Sequence, residues 1–455
     1  RPIGIQIFGN DPDIVAGYEK DSSNLPGNAK GICRPNNEVE CAIILAASHQ
    51  AEIPLTISAG RTNLTGSATP NGGVVLSIEN LLEPDVQVNM AEKTVTSAVG
   101  IYLENMRKAV LSQSGNTLHY PVDPTSREEA MVGGTLSCNA SGFIPGPAGA
   151  TRYWVNSLDF LLPNGYKISC SREQYIANDG YFIIKFPDNE VNLPLPKYKR
   201  RKIKNASGPY SSENGKMDLV DLMVGSEGLF GLITAVTFKL KVTPVGTLDM
   251  FFPLPDENSA VKFHQYIFNY YKGDLSRITA LEYFGYNCLT YMNHKEELFN
   301  SNVEVGIYMQ IPLYKETMEA SAEKWLRLLR NSNCGINEDG ILLLNDPRNW
   351  RTFFEARHSI PSNALDKTHR LDTWSILTDT IVPLKNFPAF LQAAHTLLQD
   401  AGIEYLLFGH LGDCHLHFHL IPTKAQQPAA LEIYAAIIAK SAELGGIYSA
   451  EHGTG

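Results

Sequence analysis

Residues 409–419 read GHLGDCHLHFH and set four of the chain's twelve histidines beside an aspartate. Imidazoles at that density suit two chemistries: ligation of a divalent metal through a ring nitrogen, and acceptance of a proton near neutral pH. LLFGH and HLHFHLI alternate as strands do, and Asp413–Cys414 fall where a two-residue hairpin turn belongs. That register sets Gly412 against His415, Leu411 against Leu416 and His410 against His417. Opposed β-carbons lie roughly 4.5–5.5 Å apart, close enough for two imidazoles to share one ion. Alternation puts His415, His417 and His419 on one face and Leu416, Phe418 and Leu420 on the other. Spacing alone still favours a half-buried strand whose histidines are satisfied by water and carboxylates, because a site with two ligands is weak.

Three glycine-rich stretches carry a second kind of chemistry. SAGRTNLTGSATPNGG (58–73) follows a strand-like run and offers small residues whose backbone N–H groups can line an anion nest. It is neither GxGxxG nor GxxxxGK[ST], and by itself it reads as a surface loop. Residues 120–155 string Gly133, Gly134, Asn139, Ala140, Gly142, Gly146 and Gly149 between two strands, and small side chains over that length let backbone approach something flat. LMVGSEGLFGLITAVTFKL (222–240) places Gly225, Ser226, Glu227, Gly228 and Gly231 just before a strand. Three such loops within one mixed domain are hard to explain as turns.

The elements that must hold these loops alternate between periods. VECAIILAAS (39–48) and YLENMRKAVLSQ (102–113) read as helices; PLTISAG, VVLSIENL, KTVTSAVG, WVNSLDFLLPNG and GLITAVTFKLKV read as strands. After Thr243–Pro244 the strands TLDMFFPLP and VEVGIYMQIPL and the helices SAVKFHQYIFNYYKG and KETMEASAEKWLRLLRN suggest a second α+β layer domain starting near residue 245. A last helix spans 428–445. The basic run KYKRRKIK (197–204) reads as a solvated loop without a role.

Bulk properties fit that division. A chain of 455 residues exceeds one comfortable core, and its 44% hydrophobic and 19% charged content is that of an ordinary globular protein. A net charge of −10 argues against a nucleic-acid partner. Seven scattered cysteines without a CxxC pair suggest neither a disulfide framework nor an iron–sulfur or zinc-ribbon site, so a reducing compartment fits best. No apolar run reaches the ~18–20 residues of a membrane span, and the start lacks a secretory signal. The expectation is a cytoplasmic or membrane-peripheral protein. The opening without Met and the polar, Gly-rich stop at SAEHGTG read as incomplete ends.

The order of motifs resembles the FAD-binding oxidase and dehydrogenase superfamily of vanillyl-alcohol oxidase type, within it the D-lactate, glycolate and D-2-hydroxyglutarate dehydrogenase branch. The motifs are the TxLxG loop, PVDP with GGxxxxNAxG, VGSEGxxGxIT, GHxGD with LH, and AEHGxG. This resemblance implies an α+β protein with a two-lobed FAD-binding domain (1–244), an antiparallel-sheet substrate or cap domain (245–425) and a C-terminal helical segment (426–455) returning to the flavin site. It implies Gly60, Arg61, Thr62, Asn63 and Gly66 around the FAD pyrophosphate. Pro121, Asp123, Gly133, Gly134, Asn139, Ala140 and Gly142 would lie along the flavin, with Glu227, Gly228 and Ile233 near the adenosine half. His410, His417 and Glu451 would bind a divalent metal, zinc above others, with His452 as the base beside the flavin. Arg357, in FFEARHSIPSNAL, matches by position the arginine that clamps the substrate carboxylate; a solvated helix arginine is the competing reading.

The implied reaction is oxidation of a 2-hydroxy acid, of D configuration, to the 2-oxo acid, in which His452 takes the hydroxyl proton as hydride leaves for the flavin. Oxygen, a quinone or an electron-transfer protein would take the electrons. A flavin subunit of a larger assembly with an iron–sulfur partner, and a non-redox lyase or transferase on the same fold, are the alternatives; oligomeric state is open. Four places depart from the family pattern. Its RGGGTGLSGG loop is SAGRTNLTGS here, so Arg61 and Asn63 replace glycines, and Arg61 either answers the pyrophosphate charge or reshapes the loop. Pro361 stands for a threonine and Leu377 for a lysine. GDGN has become GDCH, which puts Cys414 where a positive φ is expected and His415 where an amide could touch substrate.

Overall fold

The computed structural model describes residues 7–177, 180–185, 190–195, 201, 203–206 and 216–455. Two sets of buried apolar side chains organise them. One runs from Ile7 to Leu240, and the other from Leu248 to Ile437.

The first set fills two lobes. In one, Phe8–Gly9, Ile32–Cys33, Val74–Ser77 and Leu55–Ser58 form a four-stranded sheet in that order, with Val74–Ser77 parallel to both its neighbours. The helix Glu38–Gln50, capped by the Asn37 side chain, covers it with Cys41, Ile44 and Leu45. In the other, Gln87–Asn89, Thr94–Ala98, Leu232–Lys239, Val155–Leu161 and Lys167–Ser171 make an antiparallel five-stranded sheet. The helix Leu103–Gln113 adds Leu103, Met106 and Val110 to the shared core.

The second set is built on an antiparallel seven-stranded sheet. Its central strands are Gly246–Leu254, Val305–Leu313, Ala280–Phe284, Glu404–His410 and His415–Ile421, with Leu342–Leu343 and Ile376–Leu377 at the edges. Period-2 alternation sends Leu407, Leu416, Phe418 and Leu420 to one face, where Phe263, Trp325, Phe390 and Ile437 from four helices bury them. The helix Gln427–Glu443 is one of the four and contributes Ala430 and Ile437 to this core. The opposite face carries Tyr308, Phe284 and Leu406, which pack on Phe353, Ala356 and Ile360 of the helix Pro347–Arg370. At the sheet end bearing the histidines the N-terminal half of the chain docks, with Gly146 N donating to Asp413 Oδ1 at 2.6 Å.

The hairpin pairs differently from the sequence expectation. His410 lies opposite His415, and His417 opposite Phe408. Leu411–Asp413 form a 3-10 turn and Cys414 closes it in the left-handed region at φ 55°, so four residues turn the chain where two were expected. The reason lies beneath the turn: His264, on the helix Glu257–Tyr270, bonds from Nε2 to the Gly412 carbonyl at 3.2 Å, and Cys414 Sγ points at its Nδ1. The pairing moves by two residues, which preserves the face of every side chain. The histidines stay together although the predicted partners were wrong.

Burial fixes the charge state of two histidines outside the cluster. It pushes His264 and His119 down to about 4, the latter helped by Lys241 and Arg107. Both are neutral when folded, while the unfolded chain protonates near 6.5. The resulting penalty is absent above pH 6.5 and grows as pH falls toward 4. Thermal scans should therefore show stability falling across that window, and His264→Gln should flatten the fall by on the order of 2 kcal/mol at pH 4.5. Parallel curves for the two proteins would discount the argument.

Candidate active site

A cleft of about 410 Å³ runs between the lobes of the first domain and ends at the histidine hairpin. Gly60, Arg61, Thr62, Asn63, Asp123, Gly133, Gly134, Ala140, Gly142, Glu227, Gly228 and Ile233 line it, together with His410, Glu451 and His452. Gly66, Pro121 and Asn139 are not on its walls. The Asn139 side chain faces the protein, accepting from Arg152 N at 2.9 Å and reaching the Asn205 carbonyl. Gly142 is small for the backbone's own sake, since a Cβ there would meet Asp123 N at 2.5 Å.

The phosphate-type loop fits an anion. Among the described residues, the backbone N–H groups of Gly60, Arg61, Thr62 and Asn63 donate to no protein acceptor, which leaves four amides at the cleft. Arg61 takes φ 56° where glycine would be relaxed, and its guanidinium stacks 4.5 Å above the Tyr18 ring. Asn63 knits the loop: its Oδ1 accepts from Thr65 N and Ser67 N, and its Nδ2 donates to the His452 carbonyl at 3.3 Å. The two residues that replace glycines are thus integrated into the fold. Glu227, expected near the adenosine end, accepts from Thr454 N and Gly455 N and clasps the C-terminal turn. Gly453 has φ 90°, and a Cβ there would strike Glu227 Oε1 at 2.4 Å, so this turn admits only glycine.

That turn presents Glu451 and His452. Asp379, on the segment beside the hairpin, holds it by accepting from Ser449 Oγ, Glu451 N and His452 N at 2.9, 3.1 and 2.9 Å. Glu451 Oε1 then lies 3.3 Å from His410 Nε2, 3.4 Å from His417 Nε2 and 3.7 Å from His452 Nε2. Its Oε2 faces Lys204 Nζ at 3.6 Å and His415 Nδ1 at 3.9 Å. The His452 ring stacks on His417, 7° from parallel, with Nδ1 3.7 Å from Asp379 Oδ1.

Outer partners set each tautomer. His417 Nδ1 faces the Thr378 carbonyl at 2.9 Å, and a carbonyl only accepts, so Nδ1 carries the proton and Nε2 the lone pair. His410 Nδ1 donates to Glu282 at 2.8 Å, and His415 Nε2 to Asp379 at 2.8 Å. Burial alone would lower His410; the Glu282 and Glu451 carboxylates overcome it and hold the imidazolium up to about 10. Burial prevails at His415, which drops to about 4. Glu451 resists the upward push of burial and stays well below the usual carboxylate range because His410 and His415 surround it.

Arg357, on the helix Pro347–Arg370, is not on the cleft walls; it lies 4.9 Å above the ring of Phe143, which does line the cleft and meets His410 edge-on at 5.8 Å. It has no ion-pair partner among the described residues, and its charge lowers Glu282. Pro361, one turn on, lacks the N–H that would bind the Arg357 carbonyl.

Four residues the motifs did not single out as site members complete the site: Asp379, Glu282, His415 and Lys204. The last belongs to the basic run expected to be solvated, of which Lys197–Arg200 and Lys202 lie outside the described residues. Lys204 is instead buried, its side chain 2% exposed, with Nζ 3.2 Å from Asp413 Oδ2. Burial opposes its charge, but Asp413 and Glu451 raise its pKa. The segment is pinned there because Ala206 N donates to the Ala450 carbonyl at 2.9 Å.

Known proteins resemble this chain in sequence and fold. Residues 29–171 match the family described as FAD binding domain, and residues 288–455 match FAD linked oxidases, C-terminal domain. The chain is 26% identical to a D-2-hydroxyglutarate dehydrogenase of Xanthomonas citri pv. viticola, over 98% of this chain and 85% of the relative. It is 23% identical to a D-lactate dehydrogenase of Anaerostipes hadrus, over 97% and 85%. The structure of a 4-ethylphenol oxidase from Gulosibacter chungangensis superposes with a TM-score of 0.69 at 15% identity, covering 99% of this chain and 87% of that one. No described helix is long and apolar enough to cross a membrane. The order of the motifs and both family matches agree: the chain belongs to the FAD linked oxidases and is an oxidoreductase.

Proposed function

We propose that the protein oxidises a small 2-hydroxy acid, of D configuration, to the 2-oxo acid. The observation that carries this reading is the convergence of His452 and the Glu451 cluster at one end of the cleft, with Arg357 stacked on Phe143 of the cleft wall. The two dehydrogenase relatives act, by name, on D-2-hydroxyglutarate and D-lactate, which supports the substrate class.

Each residue has a task that its position suits. Arg357 offers a planar fork for the substrate carboxylate, and the Phe143 ring supports the guanidinium from one side. Asp379 fixes the turn and faces His452 Nδ1, so Nε2 is the nitrogen that accepts the hydroxyl proton. FAD held in the cleft would supply the two-electron acceptor for the hydrogen that leaves C2 with its electron pair. His410, His417 and Glu451 form a buried set of nitrogen and oxygen donors that fits a borderline divalent ion such as zinc once His410 gives up its proton, with Glu282 and the Thr378 carbonyl orienting the rings. Such an ion supplies Lewis acidity toward the substrate oxygens.

Anaerobic mixing with D-lactate, D-2-hydroxyglutarate or glycolate should bleach the 450 nm flavin band, with the L acids inert. His452→Ala should slow that bleaching by about 10²–10⁴-fold. Arg357→Met should lower kcat/KM by roughly 10²-fold through the lost carboxylate pair. An enzyme that keeps full rate without His452, or never bleaches with any hydroxy acid, contradicts the proposal.

Chelation tests the ion separately. Prolonged dialysis against a strong chelator should abolish turnover while leaving the flavin spectrum intact, and one equivalent of zinc should restore it. Because ligation displaces the proton shared by His410 and Glu451, uptake should weaken as pH falls. Unchanged turnover in protein shown by elemental analysis to be metal-free would remove the ion from the scheme.

A further inference from the structure

We infer that His415 is a ligand of the same divalent ion, giving this chain a set of three imidazoles and one carboxylate. The inference rests on the metal reading above and deepens it. His415 is 0% exposed, and its Nδ1 has no hydrogen-bond partner although the ring is enclosed by protein. An unsatisfied buried polar atom costs about 1–3 kcal/mol, so a chain keeps one where something else meets it.

The direction of that nitrogen says what meets it. Nε2 donates to Asp379 at 2.8 Å, which leaves the lone pair on Nδ1. Nδ1 points into the space shared with His410, His417 and Glu451, and one donor atom from each of the four residues lies within 4.8 Å of all the others. The ring centroids of His415 and His417 are 4.6 Å apart, and those of His415 and His410 5.5 Å. Donors around a tetrahedral ion at ~2.0–2.1 Å sit roughly 3.3 Å from each other, so a contraction of up to about 1.5 Å in the widest donor pair completes the set. The carboxylate behind His415 repeats the pattern at His410, where Glu282 fixes the ring from outside.

Neighbouring groups narrow the choice. Lys204 approaches Glu451 Oε2 and Asp413 with a permanent positive charge, which favours presentation of Oε1 to the ion. His419 also has a buried nitrogen without a partner, at Nε2, but it is not one of the converging donors. Three imidazoles favour zinc or a similar borderline ion over magnesium or calcium. With four protein donors in place, a substrate oxygen enters only as a fifth ligand, so the pocket should favour compact hydroxy acids.

The test measures zinc, not turnover. Flavin-loaded wild type, His415→Asn, His410→Asn and His417→Asn are titrated against a competing chelator, with zinc content read by elemental analysis. One zinc per chain is expected in the wild type, and His415→Asn should weaken its affinity by at least tenfold with the flavin absorbance unchanged. X-ray absorption at the zinc edge should count three imidazoles in the wild type and two in His415→Asn. The wild-type count decides the matter alone if the variant does not fold. Equal affinity and two imidazoles in both proteins, with zinc lost from the His410 and His417 variants, would overturn the role of His415 and leave the metal reading standing. Wild type that takes up no zinc at all overturns both.

Discussion

One carboxylate carries the architecture of the active end. Asp379 sits on a short segment against the His415–Ile421 strand and receives the Ser449 hydroxyl, two successive amides of the Glu451 turn and the His415 ring. Those four donors come from parts of the chain up to 73 residues away. Buried ionised groups are tolerated only when hydrogen bonds replace their water, and here the replacement is also what orients the reacting side chains. Among the described residues no lysine or arginine is in immediate contact with it, so its charge is answered by histidine rings and oriented amides.

The site is assembled from three directions. The seven-stranded sheet supplies Glu282, His410, His415 and His417 on one face of adjacent strands. The first domain supplies the cleft, the Asn63 bridge and Lys204. The C-terminal turn lies between them, clasped by Glu227 on one side and Asp379 on the other. Each contributor is rigid for a local reason: cross-strand pairing in the first case, an Asx-type turn in the second, an obligatory glycine in the third.

Sequence reasoning reached the residues whose chemistry is encoded in short order. His410, His417, Glu451 and His452 stand in compact motifs, and the two-residue periodicity that assigned the histidines to one face survived an incorrect hairpin partner, because a shift of two leaves parity intact. The turn itself was misread because its geometry depends on His264, some 150 residues earlier, which no local pattern reveals. Glu282 and Asp379 escaped for the same reason: an acidic residue in a strand or beside one looks like any other until its partners from distant parts of the chain are known. Lys204 was hidden by its company. A run of cations suggests solvent, and only the pairing of Ala206 with Ala450 carries this one inward.

The Asn63 side chain spans from the anion loop to the His452 carbonyl, so a single amide ties the loop to the turn that carries Glu451 and His452. A side chain at a position where glycine would have none thus makes the loop and the C-terminal turn one hydrogen-bonded unit.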